Sequence, residues 1–213
     1  MRQSEIEGVY LQNMRDVKRR LRYSQEQLHE FERTQDYIFL ENAILHIRKS
    51  LECIAYASIA PNKEAYSKFR SEAVKPADFR RDYHGAKILN QLEVINKEFY
   101  PLPLVEPQKV GERQWHFDRL SSGYLTKSQY VKLYDRLGKF LHSDNPWDND
   151  KGYSNLAKDM PENLIKIRAL LQIHATFVQE MERRLAFVVD MGSDKKDVSV
   201  LTATADGAFK VGI

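Results

Sequence analysis

The sequence predicts an all-α protein, a helical bundle of four to five main helices with a small C-terminal β-hairpin appendage. The 213-residue chain is 42% hydrophobic and 30% charged, with nine glycines and seven prolines, a composition typical of a globular, helix-rich protein. Apolar residues recur at helical spacing through most of the chain, and strand-like alternation begins after Gly192. We therefore expect a helical-bundle domain over residues 1–190 and a β-hairpin tail over residues 191–213.

The first two predicted helices cover residues 4–34 and 35–60. Along the first helix runs an apolar seam with alternating spacings of four and three: Tyr10, Met14, Val17, Leu21, Ser24, Leu28 and Phe31. The seam can face another helix of the bundle or a second copy of the chain. The second helix has a broad apolar face and ends at Pro61.

The middle of the chain is less regular. Residues 63–75 indicate a short helix or an irregular connector, and residues 77–98 a third main helix. Prolines break the pattern in residues 99–125, where residues 114–117 can form a strand. Three aromatic residues indicate that this loop is ordered and packed: Trp115, Phe117 and Tyr124.

The next helix has the clearest start in the sequence. Thr126 and Gln129 form a capping box, in which each side chain satisfies a backbone donor of the first turn. Helical spacing continues to Leu141, and turn residues from Ser143 to Pro146 end the helix.

A last long helix and a hairpin are predicted to complete the chain. The helix begins at about Pro161, with Asp159 as a candidate cap, and its apolar spacing continues to about Val189. Alternation then predicts two strands that turn at Asp206 and Gly207.

Composition narrows the classes of function. The formal net charge of +3 is too small to indicate nucleic-acid binding by itself. A local basic run from Arg15 to Arg22 is either a solvated helix face or a nucleic-acid contact. No apolar stretch approaches the roughly 20 residues of a membrane span, and the N-terminus lacks a signal-peptide pattern. The single Cys53 excludes an intramolecular disulfide, so a cytoplasmic location is expected.

Metal and nucleotide chemistry have no motif in this sequence. No two of the six histidines are three or four residues apart, which leaves a helix-borne metal site unsupported. No phosphate-binding glycine loop is present. We therefore expect no metal and no cofactor.

Arg136 and His142 are the best candidates for chemistry. Histidine can move a proton to or from an RNA hydroxyl, and arginine can hold a phosphate and stabilise its transition-state charge. On a continuous helix they would lie about 120° apart. They converge if the helix loosens near Gly138, if it ends before His142, or if a second subunit supplies one of them. Alternatively, His142 caps its helix and Arg136 pairs with a nearby carboxylate such as Asp135 or Asp144.

Two segments, Leu40–Ala60 and Tyr134–Trp147, resemble the HEPN superfamily of small helical-bundle domains. The hallmark of that family is an arginine followed, after four to six residues, by a histidine near the end of a late helix. Five residues separate Arg136 from His142; Leu137 stands where members often have a polar residue.

The resemblance implies a metal-independent endoribonuclease that cleaves RNA by attack of the 2′-hydroxyl, with Arg136 and His142 of two protomers meeting at a homodimer interface. It also implies a role in toxin–antitoxin systems or phage defence, with an antitoxin or defence-system protein as a partner. Lys139, Arg48 and Asn145 are candidate RNA contacts. Some relatives lack catalysis, so the alternative is a HEPN-like interaction or scaffold module that binds a protein or RNA partner.

Overall fold

The structure is a computed structural model that describes residues 3–112, 114–143, 147, 152–179, 184–193 and 195–205. In this part of the chain, six α-helices pack with a four-stranded antiparallel sheet and a separate two-stranded one. The fold is mixed α and β, so the all-α prediction is wrong.

The N-terminal third of the chain is an antiparallel helix pair, α1 (Gln3–Thr34) and α2 (Tyr37–Ile59). The turn between them places Gln35 at a φ of 58°, and the Asp36 side chain caps α2 by accepting from the N–H of Ile38. The apolar seam of α1 is buried within the chain from Tyr10 to Leu28. Both predicted helices are confirmed, and the seam packs against other elements of the same chain.

The predicted third main helix is shorter than expected. Helix α3 (Lys63–Ser71) is followed by a 3-10 turn at Phe79–Arg81, and α4 spans Gly85–Ile95. His84 caps α4 because its Nδ1 accepts from the N–H of Lys87 at 3.4 Å.

The long loop contains three short strands. These are β1 (Leu102–Pro103), β2 (Gln108–Gly111) and β3 (Gln114–His116), of which β2 and β3 pair with each other. The loop packs on the helices, since Phe99 is buried and the Tyr100 hydroxyl donates to the carbonyl of Leu125 at 2.9 Å. The expectation of an ordered loop with a strand near residue 115 is confirmed.

Helix α5 (Lys127–Lys139) matches its prediction, whereas α6 spans Tyr153–Leu171 and ends well before Val189. The following residues form β4 (Ile173–Gln179), β5 (Arg184–Asp190) and β6 (Ser199–Ala205). These strands and β1 form the larger sheet in the order β1-β4-β5-β6. The helix predicted beyond Leu171 is wrong.

Burial explains this error. In β4, residues on both faces of the strand are buried, so the alternation that identifies a half-exposed strand is absent. Apolar residues then recur at intervals that a helix also produces.

The C-terminal strand is integrated into this sheet. β6 pairs with β5 in antiparallel register along its whole length. The predicted turn at Asp206 and Gly207 lies outside the described residues.

One main core joins α1, α2, α4, α5 and α6 to residues of the sheet such as Phe187 and Val189. A smaller apolar cluster of Leu104, Ile173 and Ala175 lies where the long loop meets β4. No helix within the described residues is both long and apolar enough to cross a membrane.

Candidate functional site

Helix α5 carries Arg136, and its orientation follows from its sequence. Thr126 Oγ1 accepts from the backbone N–H of Gln129 at 3.3 Å, while Gln129 Oε1 accepts from the backbone N–H of Thr126 at 3.0 Å. The predicted capping box is therefore present. The buried face of α5 consists of Tyr130, Leu133, Tyr134 and Leu137. Arg136 is about 100° around the helix from Leu137, so it lies beside the buried face, where its side chain is 38% exposed.

Arg136 forms an ion pair with α6. Its Nη1 donates to Asp159 Oδ2 at 2.6 Å, and the two side chains are 38% and 50% exposed. Arg136 thus pairs with a carboxylate, as the alternative interpretation expected, but with a different one from those considered. A guanidinium carries five N–H donors and this contact uses one of them, so it is compatible with phosphate binding.

His142 lies just past the end of α5. The last turn tightens, because the N–H of Phe140 donates to the carbonyl of Leu137 at 3.2 Å and the N–H of Leu141 to that of Gly138 at 3.4 Å. The helix ends at Lys139, and His142 is exposed in the bend that follows. One of the conditions under which Arg136 and His142 can converge is therefore met.

Three other residues lie at the end of α5 or shortly after it in the sequence: Lys139, Asn145 and Trp147. Lys139 is exposed as the last residue of the helix. Asn145 lies outside the described residues. Trp147, which the sequence did not single out for function, is 90% exposed.

Arg48 lies on the other side of α5. Its side chain is 18% exposed, its Nη1 donates to the carbonyl of Tyr134 at 2.6 Å, and its Cζ lies 3.8 Å from the centre of the Tyr134 ring. Its Nε is 3.7 Å from Glu52 Oε1, the pairing that the four-residue spacing predicts. Arg136 is two residues from Tyr134, about 200° around the helix. Arg48 therefore connects α2 to α5 on the side of the helix opposite Arg136.

Gly138 makes room for this contact. A Cβ at position 138 would lie 2.7 Å from Arg48 Nη1. Gly138 thus serves the α2–α5 contact rather than a break in the helix. Tyr134 belongs to the same contact: burial raises its pKa to about 12, and its hydroxyl donates to Glu52 at 3.0 Å.

Sequence reasoning did not identify Asp159 as the partner of Arg136. It is 23 residues away on α6, which begins earlier than the sequence indicates, and its position in the sequence indicates a helix cap instead. In fact Gly152 precedes α6 with a φ of 78°, and Pro161 lies inside the helix. No local pattern in the sequence indicates the contact.

Among the described residues, no group of three or more His, Cys, Asp or Glu side chains is arranged to hold a metal ion. Comparison of the chain with protein-family models, curated proteins and solved structures found no match.

Proposed function

We propose that this chain is a homodimeric, HEPN-type endoribonuclease that cleaves RNA without a metal ion or cofactor, in a toxin–antitoxin or phage-defence setting. The observation that carries the proposal is the end of α5. Its termination at Lys139 leaves His142 exposed, three residues beyond the helix and six residues after the half-exposed Arg136.

Each side chain has a defined part in the reaction. A histidine removes the proton from a ribose 2′-hydroxyl, and the resulting oxygen attacks the adjacent phosphorus. The bond from phosphorus to the 5′-oxygen breaks as that oxygen receives a proton from an acid. The products are a 2′,3′-cyclic phosphate and a 5′-hydroxyl. Arg136 neutralises the added charge on the non-bridging oxygens, and Asp159 holds the guanidinium in place.

The need for two proton transfers favours a dimer. The reaction uses a base at the 2′-oxygen and an acid at the 5′-oxygen, whereas His142 is the one histidine that the described residues place just after α5. A two-fold axis beside α5 would bring in the second His142.

Two exposed side chains at the end of α5 and later in the sequence have properties suited to RNA. Lys139 adds a positive charge, and the exposed indole of Trp147 offers a surface on which an unpaired base can stack. Arg48 acts indirectly in this proposal, by holding α5 against α2.

The direct test is cleavage of a single-stranded RNA in the presence of EDTA, compared with a DNA of the same sequence. We expect the RNA to be cut to products with 2′,3′-cyclic phosphate ends and the DNA to remain intact, because DNA lacks the nucleophilic hydroxyl. Cleavage of the DNA, or RNA products with 3′-hydroxyl ends, would contradict the mechanism.

Mixing wild type with His142→Ala tests the shared site. If the His142 side chains of both protomers act in one site, a mixed dimer is inactive and only wild-type dimers cleave RNA. An equal mixture after subunit exchange should then show about a quarter of the rate of the same total amount of wild type. If each protomer acts alone, the mixture keeps about half of that rate. That outcome would exclude the shared site while leaving the endoribonuclease assignment in place.

The ion pair of Arg136 with Asp159 supports a second candidate function, a non-catalytic HEPN-like module that binds an RNA or protein partner. In that case Arg136 only joins α5 to α6. RNA binding without cleavage in the EDTA assay would favour this candidate.

A further inference from the structure

A basic groove lies between α1 and the connection from β5 to β6, and none of its described lining residues belongs to α5. We call it the α1 groove; it encloses about 320 Å³ and is open to solvent. Six basic side chains line it: Arg15, Lys18, Arg19, Arg22, Lys195 and Lys196. Among the described residues, Asp197 is the one acidic side chain in the lining.

Lys18 holds the wall of the groove in place. Its ammonium group donates to the carbonyls of Met191 at 2.5 Å and Ser193 at 2.8 Å, and to that of Lys196. These three acceptors use all three donors of the ammonium. Lys18 is therefore a positioning residue, and it also contributes a positive charge.

The same wall depends on Gly192. Its φ is 63°, and a Cβ there would lie 2.9 Å from the carbonyl oxygen of Asp197. Gly192 therefore lies close to Asp197, and Lys195 and Lys196 have exposed side chains.

Three arginines form the opposite wall. Arg15, Arg19 and Arg22 are four and three residues apart, so they lie on one side of α1 and span about 10 Å along its axis. Successive phosphates of a nucleic-acid strand are several ångströms apart, so three arginines over this length match two or three successive phosphates.

The arginines have acidic partners, but these contacts are exposed. Arg15 forms a fork with Asp197 at 2.9–3.1 Å, with the two side chains 43% and 67% exposed. Arg19 pairs with Asp16 at 2.8 Å, and Arg22 is 3.8 Å from Glu26. Solvent screens such pairs strongly, so a multiply charged anion can replace them at low cost.

We propose that the α1 groove binds two or three linked phosphate groups, either of a nucleic-acid backbone or of a free polyphosphate. Guanidinium groups bind phosphate oxygens through paired, charge-assisted hydrogen bonds, and the two lysines add charge from the facing wall. No aromatic side chain is among the described lining residues, so recognition is of the phosphates and not of the bases. The site goes beyond the proposed function and does not depend on it.

Binding is tested on the full chain with a labelled DNA hexanucleotide and its 2′-O-methyl RNA equivalent, neither of which has the free 2′-hydroxyl needed for cleavage. Arg19→Gln with Arg22→Gln should weaken binding about 100-fold, since each lost charged hydrogen bond corresponds to about tenfold. The slope of log K against log salt concentration should fall by about 1.4, as two phosphate contacts are lost.

Arg33→Gln is the matched control, because Arg33 lies on the same helix and pairs with Glu30 at 2.7 Å, as Arg19 does with Asp16. It should leave both the affinity and the slope unchanged.

Asp197→Asn should change the affinity for the oligonucleotides in the opposite direction. It removes the carboxylate that competes with phosphate for Arg15, while an amide oxygen can still accept from the N–H of Val198. Affinity should rise several-fold. Weaker binding by this variant, or wild-type binding by the double arginine variant, would overturn the proposal.

Inorganic tripolyphosphate distinguishes a nucleic-acid backbone from a free polyphosphate as the ligand. If the oligonucleotides bind directly and tripolyphosphate competes with them, the groove accepts a nucleic-acid backbone. If tripolyphosphate alone binds, and does so through Arg19 and Arg22, the ligand is a free polyphosphate. Absence of binding by all three overturns the proposal, whether or not RNA is cleaved in the EDTA assay.

Discussion

Replacing His142 with alanine is expected to lower the rate of RNA cleavage at least about 100-fold, because one positioned acid or base contributes that much. The side chain is exposed past the end of α5, so the stability of the variant should stay within about 0.5 kcal/mol of wild type. His29→Ala is the matched control, since His29 is exposed on α1. Single-turnover cleavage measures the rate, and thermal unfolding measures the stability.

Arg136→Ala should lower the same rate by a similar factor, since it removes the stabilising charge from the transition state. Arg33→Ala removes an arginine of a comparable exposed ion pair and should have no effect. Asp159→Asn should reduce the rate less than Arg136→Ala, because it affects only the position of the guanidinium. Cleavage at wild-type rates by both His142→Ala and Arg136→Ala would refute the catalytic assignment.

The sequence predicted the local parts of the candidate site because local rules govern them. The capping box and the end of α5 close to His142 depend on residues within one or two helical turns. The contacts of Arg136 with Asp159 and of Arg48 with Tyr134 join segments that are far apart in the chain. Such contacts depend on how the helices pack, which periodicity does not reveal.

The sheet was missed for a related reason. β5 is paired on both sides, and Leu185, Ala186, Phe187 and Val189 are all buried. A strand buried on both faces reads as a continuous apolar run, which periodicity cannot distinguish from a buried helix. The available signal was composition, since the run from Ala186 to Val189 includes Phe187 and two valines, residues that favour strands.

The same misassigned segment contains a buried histidine whose state follows from its contacts. His174 in β4 is fully buried; its Nδ1 lies 2.8 Å from the carbonyl of Leu171, and its Nε2 lies 2.8 Å from the Tyr10 hydroxyl. A carbonyl only accepts, so Nδ1 carries the proton and Nε2 accepts from Tyr10. The ring is neutral, and both of its nitrogens are satisfied.

Burial lowers the pKa of His174 from 6.5 to about 4. Between these two pH values the unfolded chain binds a proton that the folded chain does not, so this histidine lowers stability as the pH falls. The contribution of His174 to the free energy of unfolding is complete above pH 6.5. It decreases by about 1.4 kcal/mol per pH unit down to about pH 4. The total loss is about 3 kcal/mol.

We therefore expect His174→Gln to lose less stability on acidification than the wild type, by about 2 kcal/mol between pH 7 and pH 5. The comparison uses each protein's own value at pH 7, so a general destabilisation of the variant does not affect it. Urea unfolding at the two pH values gives the measurement, and His29→Gln, on the exposed face of α1, should behave as the wild type does. If His174→Gln loses as much stability as the wild type, the buried ring does not resist protonation, and the pairing of Tyr10 with a neutral imidazole is incorrect.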